Sequence, residues 1–328
     1  MEIYQHTIEK AVSFSGVGLH SGLPVKMAIK PAKANSGFRF VRTDLDTSVI
    51  IPAFMDRVVD TRLATTLAEE KILISTTEHL LAALVGLGID NALIELDAAE
   101  LPIMDGSAGP FVHLLRKVAR KPQNAFRRLL KITKTIVYED GDRRVTISPH
   151  NGLKLSCEIE FDHSVIRKQI YSFEFSPERF IKEIATARTF GFLDEYEKLK
   201  ENGYARGGSL ENAVVIDHLG VLNAGGLRFA DEFVRHKVLD LLGDLALLGC
   251  SLLGHVQAHK SGHGQHLGLM KEIAAHPECW EIIELSAQGD DGILERLVTS
   301  TMAAGNRILP FFAPSVNVFA DSCPACSA

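Results

Sequence analysis

Residues 228–245, RFADEFVRHKVLDLLGDL, place His236, Asp240 and Asp244 four residues apart, on one face of a helix whose intervening positions Val238, Leu239, Leu241 and Leu242 are apolar. A helix that is apolar on most sides is buried, and a buried acid needs a metal, a base or hydrogen-bond donors as partner. The chain must therefore fold around this segment and bring partners to it. The apolar character continues to Val256, which raises the alternative of a membrane span. Asp240 and Asp244 oppose that alternative, because each costs roughly 2.5 to 3.5 kcal/mol at a bilayer centre. A buried helix carrying two purposeful acids is expected.

The 328 residues exceed what one hydrophobic core usually supports, so about two domains are expected. In the first third Val25, Met27 and Ile29 alternate as in a half-buried strand. TTEHLLAALVGLG (76–88) reads as a capped helix ended by glycine, NALIELD (91–97) as a strand, and LPIMDGSAG (101–109) as a turn-rich loop before a helical stretch near 110–119. Proline and polar residues interrupt the pattern from Lys121 to Leu129, and the domain boundary is placed there, giving 1–124 and 125–305. The second part restarts with strands at Val145 and Ile147 and at Leu153, Leu155, Cys157, Ile159 and Phe161. A helical stretch at 177–186, an interrupted segment at 193–217 and a long helix from about 230 to 249 follow. Strands followed by long helices indicate an α+β fold. His79 and His236 each lead an apolar helix with a glycine seven residues on, Gly86 and Gly243, an echo that chance or duplication would equally produce. Residues 306–328 read as an irregular tail, and the single CxxC of Cys323 and Cys326 is too little for a structural zinc or a redox motif.

The net charge of −6 argues against a general nucleic-acid binder, which needs a basic footprint. Five cysteines without regular spacing fit a reducing compartment, and the start MEIYQHTIEKAV has no secretory pattern, so a cytoplasmic location is expected.

Several residues carry candidate chemistry. On the 228–245 helix, two of the three polar residues can hold one metal, whereas a satisfied core histidine with solvent-facing aspartates is the plain reading of the same spacing. Glu78 and His79 diverge by about 100 degrees at a helix start, so one can bind metal while the other reaches water; a glutamate there is also favoured by the helix dipole alone. In KSGHG (260–264) His263 lies between glycines, where a loop can bring its imidazole close to a substrate; the plain reading is an exposed histidine, and Asp244 could orient it only where it meets the metal site. SGVGLHSG (15–22) precedes a strand rather than a helix, which excludes a dinucleotide fingerprint and leaves a tight turn presenting His20.

Taken together and in this order, SGVGLHSG, TTEHLLAAL, LPIMDGSA, ARTFGF, GGSLENAVVID, RFADEFVRHKVLDLLGDL and KSGHG resemble the UDP-3-O-acyl-N-acetylglucosamine deacetylases, which commit Gram-negative bacteria to lipid A biosynthesis. The resemblance covers most of residues 1 to about 305. It implies two similar α+β domains, each a sheet layered with helices, with the active site between them and a small insert at about 192–215. It implies that His79, His236 and Asp240 bind one catalytic Zn2+, a set that also suits Fe2+, with a fourth position left for water. Glu78 is then the general base, Thr189 an oxyanion ligand, and His263 the general acid backed by Asp244. Lys237 and Lys260 are the candidates for the diphosphate of the UDP-sugar; Phe161, Phe190 and His20 are further substrate contacts. The insert would form the apolar passage for the acyl chain. The resemblance implies a small-molecule substrate, no nucleic-acid partner, no integral membrane segment and a monomer. The rivals are a zinc hydrolase acting on another amide or ester, and a non-enzymatic α+β binding module with structural histidines.

Overall fold

The computed structural model describes residues 2–46, 49–288 and 292–297. The expected tail, 306–328, lies outside the described residues.

The first part of the chain runs β1 (Tyr4–Ile8), β2 (Val12–Val17), β3 (Pro24–Pro31), β4 (Phe38–Arg42), β5 (Ile50–Pro52), β6 (Val58–Asp60), β7 (Thr66–Glu69), β8 (Ile72–Ile74), α1 (Glu78–Gly86), β9 (Ala92–Leu96), α2 (Gly109–Lys117) and β10 (Arg120–Phe126). The second runs β11 (Arg128–Ile132), β12 (Ile136–Asp140), β13 (Arg143–Ser148), β14 (Leu153–Glu160), β15 (Lys168–Glu174), α3 (Pro177–Arg179), β16 (Phe190–Phe192), α4 (Leu193–Glu201), β17 (Val214–Ile216), α5 (Glu232–Leu245), β18 (Ser251–His259), α6 (His263–Ala275), β19 (Trp280–Gln288) and β20 (Gly292–Leu297). This is a mixed α+β fold. One five-stranded sheet, ordered β2-β3-β9-β4-β5, comes wholly from the first part, and an eight-stranded sheet in which β18 joins β13, β14 and β11 comes wholly from the second.

Local sequence explains the elements that matter for the site. The leucines and alanines of α1 are strong helix formers. Its end is a glycine cap: Gly88 takes a φ of 69° and donates to Val85 O, while Ile89 donates to Leu84 O. The expected side-chain cap at its start is absent, because the Thr77 hydroxyl donates to the Thr65 carbonyl instead. The alternating run from Leu153 forms β14, buried on one face through Leu155, Cys157 and Ile159. The helical stretch expected at 177–186 is a short α-turn that widens into a π-helix over Phe180–Ile184.

The break expected from Lys121 to Leu129 is corrected. The chain is extended there, and β10 pairs antiparallel with β1, with Pro122 opposite His6. A two-stranded ribbon tolerates a proline that a central strand would not, since its missing N–H removes no inner ladder bond. The 192–215 segment begins with α4, Leu193–Glu201, and the parallel pair β16 and β17 closes its ends.

One contiguous core joins both sheets through the two apolar helices, including Phe40 and Ile94, Leu80 and Leu84, Leu239 and Leu242, and Val145 and Val256. The helices α1 and α5 pack directly on each other. A Cβ at Gly243 would clash with the Glu78 carbonyl oxygen, so the crossing is as close as backbones allow. No helix among the described residues is long and apolar enough to cross a membrane.

In an ordinary helix interior, replacing glycine by alanine stabilises by about 1 kcal/mol. Here the backbone clash reverses the sign. Gly243→Ala is expected to destabilise the protein by about 1 to 3 kcal/mol, read from the urea unfolding midpoint; an unchanged or raised midpoint would contradict so close a crossing.

Candidate metal and acid-base site

The buried stripe of α5 finds its partners at the start of α1. His79, the second residue of α1, sets its Nε2 3.5 Å from Asp240 Oδ1, and His236 Nε2 lies 3.3 Å from the same oxygen. The two imidazole rings meet edge to face, 4.9 Å between centroids. All three side chains are buried and can hold a metal ion. Asp240 Oδ1 is buried without a hydrogen-bond partner, which is costly unless a cation satisfies it. His236 Nδ1 donates to the Ala187 carbonyl over 3.0 Å, leaving Nε2 with its lone pair toward Asp240.

Charges around this cluster are balanced by position. Burial would raise the Asp240 pKa, and the field of His236 and Lys237 lowers it well below the usual carboxylate range. Because burial in turn pushes His236 down to about 3, the cation present at neutral pH is the Lys237 ammonium, bonded to Asp240 Oδ2 at 2.7 Å.

A second cluster stands beside the first. Asp244 Oδ2 accepts from Nδ1 of both His263 and His266 at 2.7 Å, and its Oδ1 accepts from the Thr65 hydroxyl at 2.6 Å. These residues also have metal-binding geometry, but every carboxylate oxygen already has its donors, whereas Asp240 Oδ1 has none. The orphaned oxygen favours the first cluster for an ion. His263 is not in a free loop as its glycine neighbours imply; it is the first residue of α6, held by the Gly262 N–H bonded to Gln265 Oε1. A helix start disfavours an imidazolium by about 0.3 to 1 kcal/mol. Burial also works against the charge, yet the ionised Asp244, its hydrogen bond and the nearby Glu78 push the His263 pKa up to about 9. Across from it, Glu78 Oε1 lies 4.0 Å from His263 Nε2, and Glu78 Oε2 accepts from the Thr65 N–H at 3.0 Å. Burial raises the Glu78 pKa against the fields of His263 and His79.

The remaining expected residues surround this centre unevenly. Thr189 is half-buried two residues after Ala187, its N–H donating to Gly106 O and its carbonyl accepting from Val214 N. Phe190 packs edge-on to Phe233 and, more loosely, to His236 at 6.5 Å, and Phe161 meets Phe190 at 5.7 Å, so these two rings form one wall. Lys237 Nζ lies 5.8 Å from the centroid of the Phe190 ring. His20 leaves Nε2 buried and unpartnered; burial lowers its pKa, and it feels Glu100, His79 and His263. Lys260 Nζ is paired with Glu160 at 2.9 Å and Asp142 at 3.4 Å.

Four participants escape a reading by motif. Glu232 lies four residues before His236 and extends the α5 stripe by one turn, a signal present in the spacing. His266 follows His263 by three, one turn along α6. Thr65 reaches Asp244 across the fold, which no local pattern shows. Glu100 accepts from the His20 and Ser21 N–H groups and from the Thr76 hydroxyl, tying the glycine-rich turn to the segment two residues before α1. Thr76 has a φ of 60°, a strained value for a β-branched residue. A separate cavity of about 1180 Å³, lined by Gly88, Arg127, Leu245 and Gly249, lies at the C-terminal ends of α1 and α5 and contains none of the site residues.

Comparison with known proteins agrees with the motif order. A family model described as UDP-3-O-acyl N-acetylglycosamine deacetylase matches residues 5–275. The UDP-3-O-acyl-N-acetylglucosamine deacetylase of Myxococcus xanthus is 48% identical over 279 residues, 85% of this chain and 89% of its own. That of a Geobacter species is 48% identical over 286 residues, 87% and 94% of the two chains, and that of Hahella chejuensis 47% over 290, 88% and 96%. Likeness of this degree over nearly the whole of each relative includes both strands and helices that build the two clusters, and the chain belongs to the UDP-3-O-acyl-N-acetylglucosamine deacetylase family.

Proposed function

We propose that this chain hydrolyses the N-acetyl amide of a UDP-3-O-acyl-N-acetylglucosamine, releasing acetate and the free 2-amine as the committed step of lipid A biosynthesis. The observation that carries the proposal is the juxtaposition of a three-residue metal cluster with a carboxylate and an imidazole facing each other across 4.0 Å. Substrate identity follows from family membership and the names of the relatives. His79, His236 and Asp240 would hold the ion, with zinc favoured by two imidazoles and a carboxylate and Fe(II) suited to a similar set. When bound, the ion supplies Lewis-acid polarisation and makes water more acidic.

The side chains then divide the proton transfers. Glu78, ionised, takes a proton from the attacking water. The Thr189 hydroxyl donates to the carbonyl oxygen as negative charge develops there. His263, protonated and backed by Asp244, gives its proton to the departing nitrogen, so that the C–N bond breaks to an amine rather than to an amide anion. Lys237, Lys260, Phe161, Phe190 and His20 are the proposed substrate contacts, with the 192–215 segment beside the acyl chain. The same reading divides the chain into domains 1–124 and 125–305 and places it in the cytoplasm as a monomer. A zinc hydrolase of another amide is the nearest rival, and it would show turnover independent of the nucleotide and acyl groups.

The test is acetate release from a UDP-3-O-acyl-N-acetylglucosamine. Activity should vanish with a chelator and return with sub-stoichiometric zinc, and Asp240→Ala should purify without metal. A folded, zinc-loaded protein that leaves this substrate intact would reject the assignment.

The charges also set a pH profile. The proposed base must be ionised and the proposed acid protonated, so kcat/KM should be bell-shaped. It should fall in acid as Glu78, raised above the ordinary carboxylate value by burial, takes up a proton, and in alkali near pH 9 as His263 loses its own. Asp244→Asn removes the charge that retains the His263 proton, so the alkaline limb should move to lower pH. An alkaline limb unmoved in that variant would remove His263 from the acid role.

A further inference from the structure

The imidazole of His236 is aimed by a main-chain carbonyl, and that carbonyl belongs to a segment clamped from the other side. Glu232, fully buried one turn before His236 on the same face of α5, accepts four hydrogen bonds. Its Oε1 takes the Arg188 N–H at 3.0 Å and Nε at 2.8 Å; its Oε2 takes Arg188 Nη2 at 3.0 Å and the Arg228 N–H at 2.6 Å. Arg188 Nη2 also donates to Gly226 O, and Arg228 Nη1 to Thr186 O. The carboxylate therefore fastens both flanks of Ala187 to the helix that carries His236, and Arg188 is the residue between Ala187 and Thr189.

We propose that Glu232 and Arg188 are positioning residues for the metal centre: their buried ion pair fixes the Ala187 carbonyl, which keeps the proton of His236 on Nδ1 and turns Nε2 toward the ion. This rests on the reading of His236 as a metal ligand. The geometry is that of an outer partner acting through the ligand, which sets tautomer and ring orientation. The pair is bidentate and fully hydrogen-bonded, so it holds a direction as well as a distance. Since Thr189 is the next residue, the same clamp fixes the start of the segment that carries the proposed oxyanion donor.

Glu232→Gln keeps the shape of the side chain and removes its charge. Zinc affinity of the full chain, measured by competition with a chromophoric chelator, should fall by about 10- to 100-fold. The visible spectrum of the cobalt-substituted protein should shift, and 15N spectra of histidine-labelled, metal-free protein should show His236 as a mixture of tautomers. Asp90→Asn serves as the comparison, because it breaks another part-buried pair, Arg127 with Asp90, beside the C-terminal ends of α1 and α5 and away from the metal cluster; its zinc affinity should match the wild type. If Glu232→Gln does not fold, Arg188→Lys, which keeps the charge but loses the fork, is expected to give the same losses in smaller degree. A folded Glu232→Gln variant with wild-type zinc affinity and an unmoved cobalt spectrum overturns the inference, as does an equal loss in Asp90→Asn, which would mark the effect as general destabilisation. A wild-type protein that binds no zinc would instead remove the ligand reading beneath it.

Discussion

The crossing of α1 over α5 is the contact on which the site depends. Only a residue without a side chain permits it, because any Cβ at position 243 meets the main-chain oxygen of Glu78. That approach brings the first two residues of α1 against the buried stripe of α5, so that His79 reaches Asp240 and Glu78 faces His263. The apolar faces of the same helices join the cores of the two sheets. Burial that stabilises the fold therefore also strips water from the polar stripe, and every acid on it must find a donor or a cation within the protein.

The stripe answers that demand differently at each turn. Glu232 is satisfied by two arginine residues, Asp244 by two imidazoles and a hydroxyl, and Asp240 only in part, by Lys237 on one oxygen. The exception is the position where two imidazole nitrogens converge. Electrostatics separates the neighbouring histidines accordingly: burial keeps His236 neutral and able to share its lone pair, while Asp244 keeps His263 charged and able to give up a proton. In the proposed reaction these two chemically identical side chains take opposite tasks from their surroundings, a lone-pair donor and a proton donor.

Much of this was legible in the sequence because it rests on short-range periodicity. The four-residue spacing of His236, Asp240 and Asp244 shows a polar stripe on an apolar helix, and the TTEHLLAAL run with its glycine end shows α1. What the stripe meets was legible only through resemblance, since nothing local to Thr65, 179 residues before Asp244, announces their bond. Glu232 could have been found by stepping one turn back along the stripe. At Lys121 proline and polar residues suggest a break, yet an edge ribbon accommodates both. The surroundings of His263 also differ from the loop that their glycines suggest, because flanking glycines signal flexibility and the helix that follows starts on the histidine itself.

The account turns on where an ion binds, and anomalous diffraction at the zinc edge from crystals of the zinc-loaded protein tests it most directly. One peak should lie among His79 Nε2, His236 Nε2 and Asp240 Oδ1, with Asp244 still bonded to His263 and His266. A peak among Asp244, His263 and His266 instead, or none in zinc-loaded protein, would contradict the division of the stripe into a metal half and an acid half.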